Sequence, residues 1–71
     1  MTNTELLEQR IKESGKKISY LAEKVGLSYN GFRNCITNKA EFKASHIYIL
    51  CRELNIDLKD AQVIFFAKRG A

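Results

Sequence analysis

Five residues near the middle of the chain, Tyr29, Asn30, Arg33, Asn34 and Thr37, offer hydrogen-bonding chemistry suited to the edges of DNA bases. Asparagine can pair bidentately with adenine and arginine with guanine, while tyrosine can touch a thymine methyl or bond a phosphate. They form the face left over once Phe32, Cys35 and Ile36 turn inward at helical spacing. Bond-making chemistry has no comparable cluster. His46 is the only histidine and the acids are scattered, so no catalytic constellation is expected. Cys35 and Cys51 sit at apolar positions of separate expected helices and have no CxxC or CxxH neighbour. Both read as small buried hydrophobes, with neither zinc nor a disulfide expected. No cofactor, metal or small-molecule ligand is implied.

The element that must present Tyr29 to Thr37 is the second of two short helices within Ile18 to Ile36. Ile18, Leu21, Ala22 and Val25 mark the first by their i, i+3, i+4, i+7 spacing. Gly26 ends it, since the position past a helix often needs a positive φ. Ser28 is a good N-cap for the second helix, expected from about Tyr29 to Thr37. Ala22 is small enough to let a steeply crossing helix come close. This is the pattern of a helix-turn-helix, over about residues 18–37, whose second helix enters the major groove. Gly31 inside that second helix costs about 1 kcal/mol relative to Ala. It would either let the backbone approach a duplex closely or merely relax the helix.

The string LAEKVGLS, followed by Phe32 and Ile36, resembles the Cro/cI-type (XRE-like) helix-turn-helix domain of small phage-type repressors and regulators. The resemblance continues through NKAEFKASHIYILCRELNI and covers nearly the whole chain. It implies an all-α, compact five-helix lambda-repressor-like domain that binds double-stranded DNA at a pseudo-palindromic operator. Tyr29, Asn30 and Asn34 match the family's principal base-reading positions, with Arg33 beside them reaching a base or a phosphate. Backbone contacts would come from Lys17, Ser19, Ser28, Thr37, Asn38, Lys39 and Lys43. The family often has Gln where Ile18 stands, bonding a phosphate; here Lys17 or Ser19 would substitute, and Ile18 would be core. Asn38 occupies a position usually held by Gly, and Asn tolerates the left-handed conformation next best.

Length and charge are compatible with that reading. The 71 residues make one small domain near the lower end of what a single core can stabilise. Twelve basic residues against eight acidic ones give +4, which favours a polyanionic partner. Placement says more: no acid lies between Glu23 and Glu41, while Lys24, Arg33 and Lys39 fall inside that window. No apolar run approaches the roughly 20 residues of a membrane span. The start, MTNTELLEQRIKE, lacks a signal peptide's apolar region, so a cytoplasmic protein is expected, and the resemblance implies a bacterial or phage origin.

The flanking helices follow from the same periodicity. The first should run from about Thr4 to Ser14, capped by Thr2 with Glu5 or by Asn3, with Leu7 and Ile11 inward and Gly15 as its stop. Phe42 is the expected anchor of the loop that carries Lys39 and Lys43. The fourth helix spans roughly Ala44 to Leu54 with Ile47, Leu50, Cys51 and Leu54 inward, and His46 partly exposed in its first turn. Asp57 caps the last, over about residues 57–67, with Leu58, Ala61 and Phe65 inward. That leaves Val63, Ile64 and Phe66 as a surplus apolar surface, expected to make an isologous homodimer contact; the competing expectation is that the tail folds back over the first helix and the protein is monomeric. Lys68 to Ala71 should fray. The expected function is a transcriptional repressor acting by operator occlusion. The alternative is a helix-turn-helix-fold protein-interaction module, such as an antitoxin or a phage protein that binds a host factor. The apolar tail suits that alternative equally well.

Overall fold

In a computed structural model, which describes residues 1–67, the chain forms five helices and, among those residues, no strand. They are α1 (Thr4–Ser14), α2 (Ile18–Val25), α3 (Tyr29–Ile36), α4 (Ala44–Leu54) and α5 (Leu58–Phe65). The expected fraying of Lys68 to Ala71 lies outside the described residues. Among those described, no helix is long and apolar enough to cross a membrane.

Three helix ends follow from residues that accept positive φ. Gly15, Gly26 and Asn55 adopt φ of 73°, 81° and 56° just past α1, α2 and α4. At the second, the Leu27 N–H reaches back to the Ala22 carbonyl at 2.9 Å. The Ile56 N–H does the same to Cys51 at 2.8 Å. In both cases the bond satisfies an orphan helix carbonyl and swings the next apolar side chain inward. Ile56 is buried and Leu27 is partly buried against the core. Asn3, Ser28 and Asp57 cap α1, α3 and α5 by accepting the N–H of Leu6, Gly31 and Asp60.

The core is one cluster built on Leu7, Leu21, Phe32, Ile36 and Leu50, all fully buried. Phe42 enters from the loop after α3 and stands edge-on to Phe32 and Phe65, with ring centroids 5.9 and 5.6 Å away. Loop, α3 and α5 therefore share one aromatic joint.

The last helix departs from the sequence expectation. Leu58, expected inward, is 78% exposed, because Ile56 already fills the space beneath the turn. Ile64, expected on the surplus apolar surface, is buried at 3% exposure, because α1 lies over that side of α5. The inward set is Ala61, Ile64 and Phe65, and α5 ends at Phe65 rather than Ala67. Cys51, expected in the core, is only half-buried, in a groove between α4 and α5. The helix after Ser28 likewise ends at Ile36, with Thr37 as its C-cap.

Across the outer face of α2, Lys16 Nζ lies 3.0 Å from Glu53 Oε1 and also bonds the Glu53 carbonyl at 2.7 Å. The Tyr20 hydroxyl donates to the same carboxylate at 3.0 Å. These bonds, Lys16's first and Tyr20's second, hold the Glu53 carboxyl below its ordinary range. A depressed carboxylate stabilises the fold fully above its unfolded pKa, about 4.3, and the contribution disappears as pH falls through the folded value. The difference in melting temperature between the native chain and Glu53→Gln should therefore be present at neutral pH and vanish in acid. Parallel thermal melts across that range check it.

Candidate nucleic-acid interface

The α3 face opposite the core carries the residues singled out from their chemistry. Phe32, Cys35 and Ile36 are buried, which fixes the helix rotation. At 100° per residue, Tyr29, Asn30, Arg33, Asn34 and Thr37 then span about 140° of the outer arc. Tyr29, Asn30, Asn34 and Thr37 are exposed, and Arg33 is half-buried. Tyr29 stands in the first turn with 53% of its surface free. The amides of Asn30 and Asn34 make no hydrogen bond within the described chain, so both can pair outward.

Other polar groups are partly committed. Ser28 Oγ accepts the Gly31 N–H at 3.0 Å, and its own hydrogen remains available to an acceptor. A Cβ at Gly31 would lie 3.1 Å from that oxygen, so the glycine leaves room for the cap. Of the two roles expected for Gly31, neither included this one. Thr37 Oγ1 donates back to the Arg33 carbonyl at 2.9 Å. Asn38 turns its amide toward the start of the chain: Oδ1 accepts the Thr2 N–H, and Nδ2 donates to the Thr2 carbonyl at 2.7 Å and, at 3.5 Å, to Thr4 Oγ1. An amide held this way offers a phosphate only its second, weakly engaged N–H.

The helix starts are electrostatically distinctive. α1 and α5 carry an acid in the first turn, Glu5 and Asp60, whereas α2, α3 and α4 carry none. Unneutralised helix N-termini attract anions through their free N–H groups and dipole. Lys17 precedes α2 without capping it through its side chain, and Lys17 and Ser19 are both exposed there. Lys39 and Lys43 are exposed on the loop leaving α3. Lys16, by contrast, is held by Glu53. Tyr20, which sequence reasoning did not single out, lies between two cations, with Lys16 and Lys24 Nζ 5.7 and 5.5 Å from its ring centre.

No protein-family model, curated protein or solved structure matches this chain.

Burial pushes the Cys35 thiol up, and Cys51 is raised by burial against a smaller lowering pull from Arg10. Thiols shifted this way stay protonated at neutral pH and are poor nucleophiles. Among the described residues, no His, Cys, Asp and Glu side chains gather into a metal site.

A second surface lies on the other helices. Tyr48, Leu58 and Phe66 are 63%, 78% and 62% exposed and line the groove between α4 and α5. Val63, also exposed, instead borders a groove between α1 and α5 with Leu6 and Arg10. The expected dimer residues therefore separate: Val63 and Phe66 face different grooves, and Ile64 faces the core. Leu58 and Tyr48 are the exposed apolar side chains the sequence reading did not assign to this surface.

Proposed function

We propose that the chain is a sequence-specific double-stranded DNA-binding regulator with a helix-turn-helix of the lambda-repressor-like type. α3 is its recognition helix, and operator occlusion is its mode of action. One observation carries this reading. The exposed arc of α3 is made of Tyr29, Asn30, Arg33, Asn34 and Thr37, and its core face is locked by Phe32, Cys35 and Ile36. Support comes from the acid-free first turns of α2, α3 and α4, and from exposed Lys17, Lys39 and Lys43. Tyr29, Asn30, Arg33 and Asn34 meet base edges; Lys17, Ser19, Ser28, Lys39 and Lys43 meet phosphates. Base contacts specify and phosphate contacts position.

Lys39→Ala tests the phosphate half. It should weaken binding to all duplexes alike and lower the slope of log affinity against log salt by about one unit. Fluorescence anisotropy with one specific and one random duplex, over a salt series, reads both quantities. A loss confined to the specific duplex would move Lys39 to the base-reading set.

The regulator acts as a homodimer, with Tyr48, Leu58 and Phe66 as its apolar contact and half-sites about 34 Å apart. The same exposed groove favours a second reading, a protein-interaction module of this fold that binds another protein there. Elution from heparin separates the two. A DNA binder is retained well above low salt, whereas a pure protein-interaction module elutes early.

A further inference from the structure

Asn38 follows the C-cap of α3 with a φ of 65°. The Thr2 N–H donates to Asn38 Oδ1 at 2.9 Å, and Asn38 Nδ2 donates to the Thr2 carbonyl at 2.7 Å. A backbone N–H can only donate and a carbonyl only accept, so these partners fix the orientation of the amide. Thr2 is 7% exposed, so its backbone groups would be costly to leave unpaired. The chain around them is stitched further. Thr4 Oγ1 donates to the Ile36 carbonyl at 2.8 Å, and the Asn3 N–H donates to the Ile64 carbonyl at 2.6 Å.

On the other side of Asn38 the chain turns sharply. The N–H groups of Lys39 and Ala40 both donate to the Asn34 carbonyl, at 2.8 and 3.2 Å. The direction in which the loop leaves α3 is thus set at Asn38, between a carbonyl of α3 and the segment before α1. Phe42 pins the far end of the loop on Phe32 and Phe65. Lys39 and Lys43 stand on this stretch, one beside Asn38 and one beside Phe42.

We propose that Asn38 is a positioning residue for DNA binding: by gripping Thr2 it aims the loop that carries Lys39 and Lys43 at the phosphates, without touching DNA through its own side chain. This rests on the DNA-binding reading above. It assigns the segment before α1 a part in the binding surface that its sequence does not suggest.

Asn38→Gly removes the side-chain bonds alone, the two to Thr2 and the longer one to Thr4 Oγ1, because glycine keeps the positive φ without strain. Two measurements are made well below the melting temperature: amide hydrogen exchange, and duplex affinity over a salt series. Exchange should accelerate at Thr2, Lys39 and Ala40 while core amides of Leu21 and Leu50 stay protected. Affinity for duplex DNA should fall on the order of tenfold, as expected when two net hydrogen bonds no longer hold the loop. The salt slope should drop by about one unit as Lys39 leaves its phosphate. A lower melting temperature with unchanged loop exchange and salt slope would overturn the proposal and leave Asn38 a purely structural residue. If the native chain shows no salt-dependent duplex binding, the DNA reading fails and the phosphate role fails with it. The exchange limb then reports separately whether Asn38 orders the loop.

Discussion

Phe32→Ala is expected to cost about 3–5 kcal/mol of folding stability, the largest effect of any single truncation on α3. Phe32 is fully buried, and it meets Phe42 edge-on where the loop, α3 and α5 converge. Removing its ring leaves a cavity that Phe42 and Phe65 cannot both close, since each is already held against the other. A chain of 71 residues has about 4–10 kcal/mol of total stability, so the variant should be partly or wholly unfolded. Urea denaturation followed by circular dichroism measures it. A loss below about 1 kcal/mol would mean that the aromatic joint is not the centre of the core. DNA binding by this variant should disappear together with the helix signal.

Asn34→Ala should have the opposite profile. Its side chain is exposed, and its carbonyl, which accepts from the Lys39 and Ala40 N–H groups and the Thr37 hydroxyl, is kept by alanine, so stability should change by no more than about 0.5 kcal/mol. Affinity for the best duplex should fall by about 1–3 kcal/mol, with preference relaxed at one base pair and random-sequence affinity unchanged. Competition titrations with duplexes varied singly at each position measure the change. Equal losses on specific and random DNA would place Asn34 among the phosphate contacts instead. Together with Lys39→Ala, this separates reading from positioning on adjacent stretches of chain.

The helix ends were legible in the sequence because Gly15, Gly26 and Asn55 each answer a backbone demand that few residues meet. The inward stripes of α1, α2 and α3 were legible because polar residues interrupt them, leaving a single apolar face. α5 is different. In LKDAQVIF apolar residues stand at five of eight positions, so more than one stripe can be drawn through it. What chose among them was tertiary: Ile56 fills the core under the turn, and α1 covers Ile64. Periodicity cannot encode either fact. The outer arc of α3 could be read as the complement of a clear stripe. The bonds between Thr2 and Asn38, or among Lys16, Tyr20 and Glu53, join polar residues far apart in sequence and leave no periodic trace. Only the left-handed tolerance of Asn38 hinted that this position was special.

The same contrast applies to the two surfaces. Exposed polar groups on α3 have unspent hydrogen-bonding capacity, which is a demand for a polar partner. Tyr48, Leu58 and Phe66 have unburied apolar area, which is a demand for a dry one. The symmetric dimer on DNA proposed above would meet both at once.

Selection of bound sequences from a random duplex library, using the purified protein at moderate salt, tests the central claim most directly. Recovery of a short motif with two-fold symmetry and half-sites one helical turn apart is expected. Preferences within it should change on substitution of Tyr29, Asn30, Arg33 or Asn34. An asymmetric motif would retain DNA reading and remove the symmetric dimer. No enrichment of any sequence would contradict the account and leave the α4–α5 groove, with a protein partner, as the functional surface.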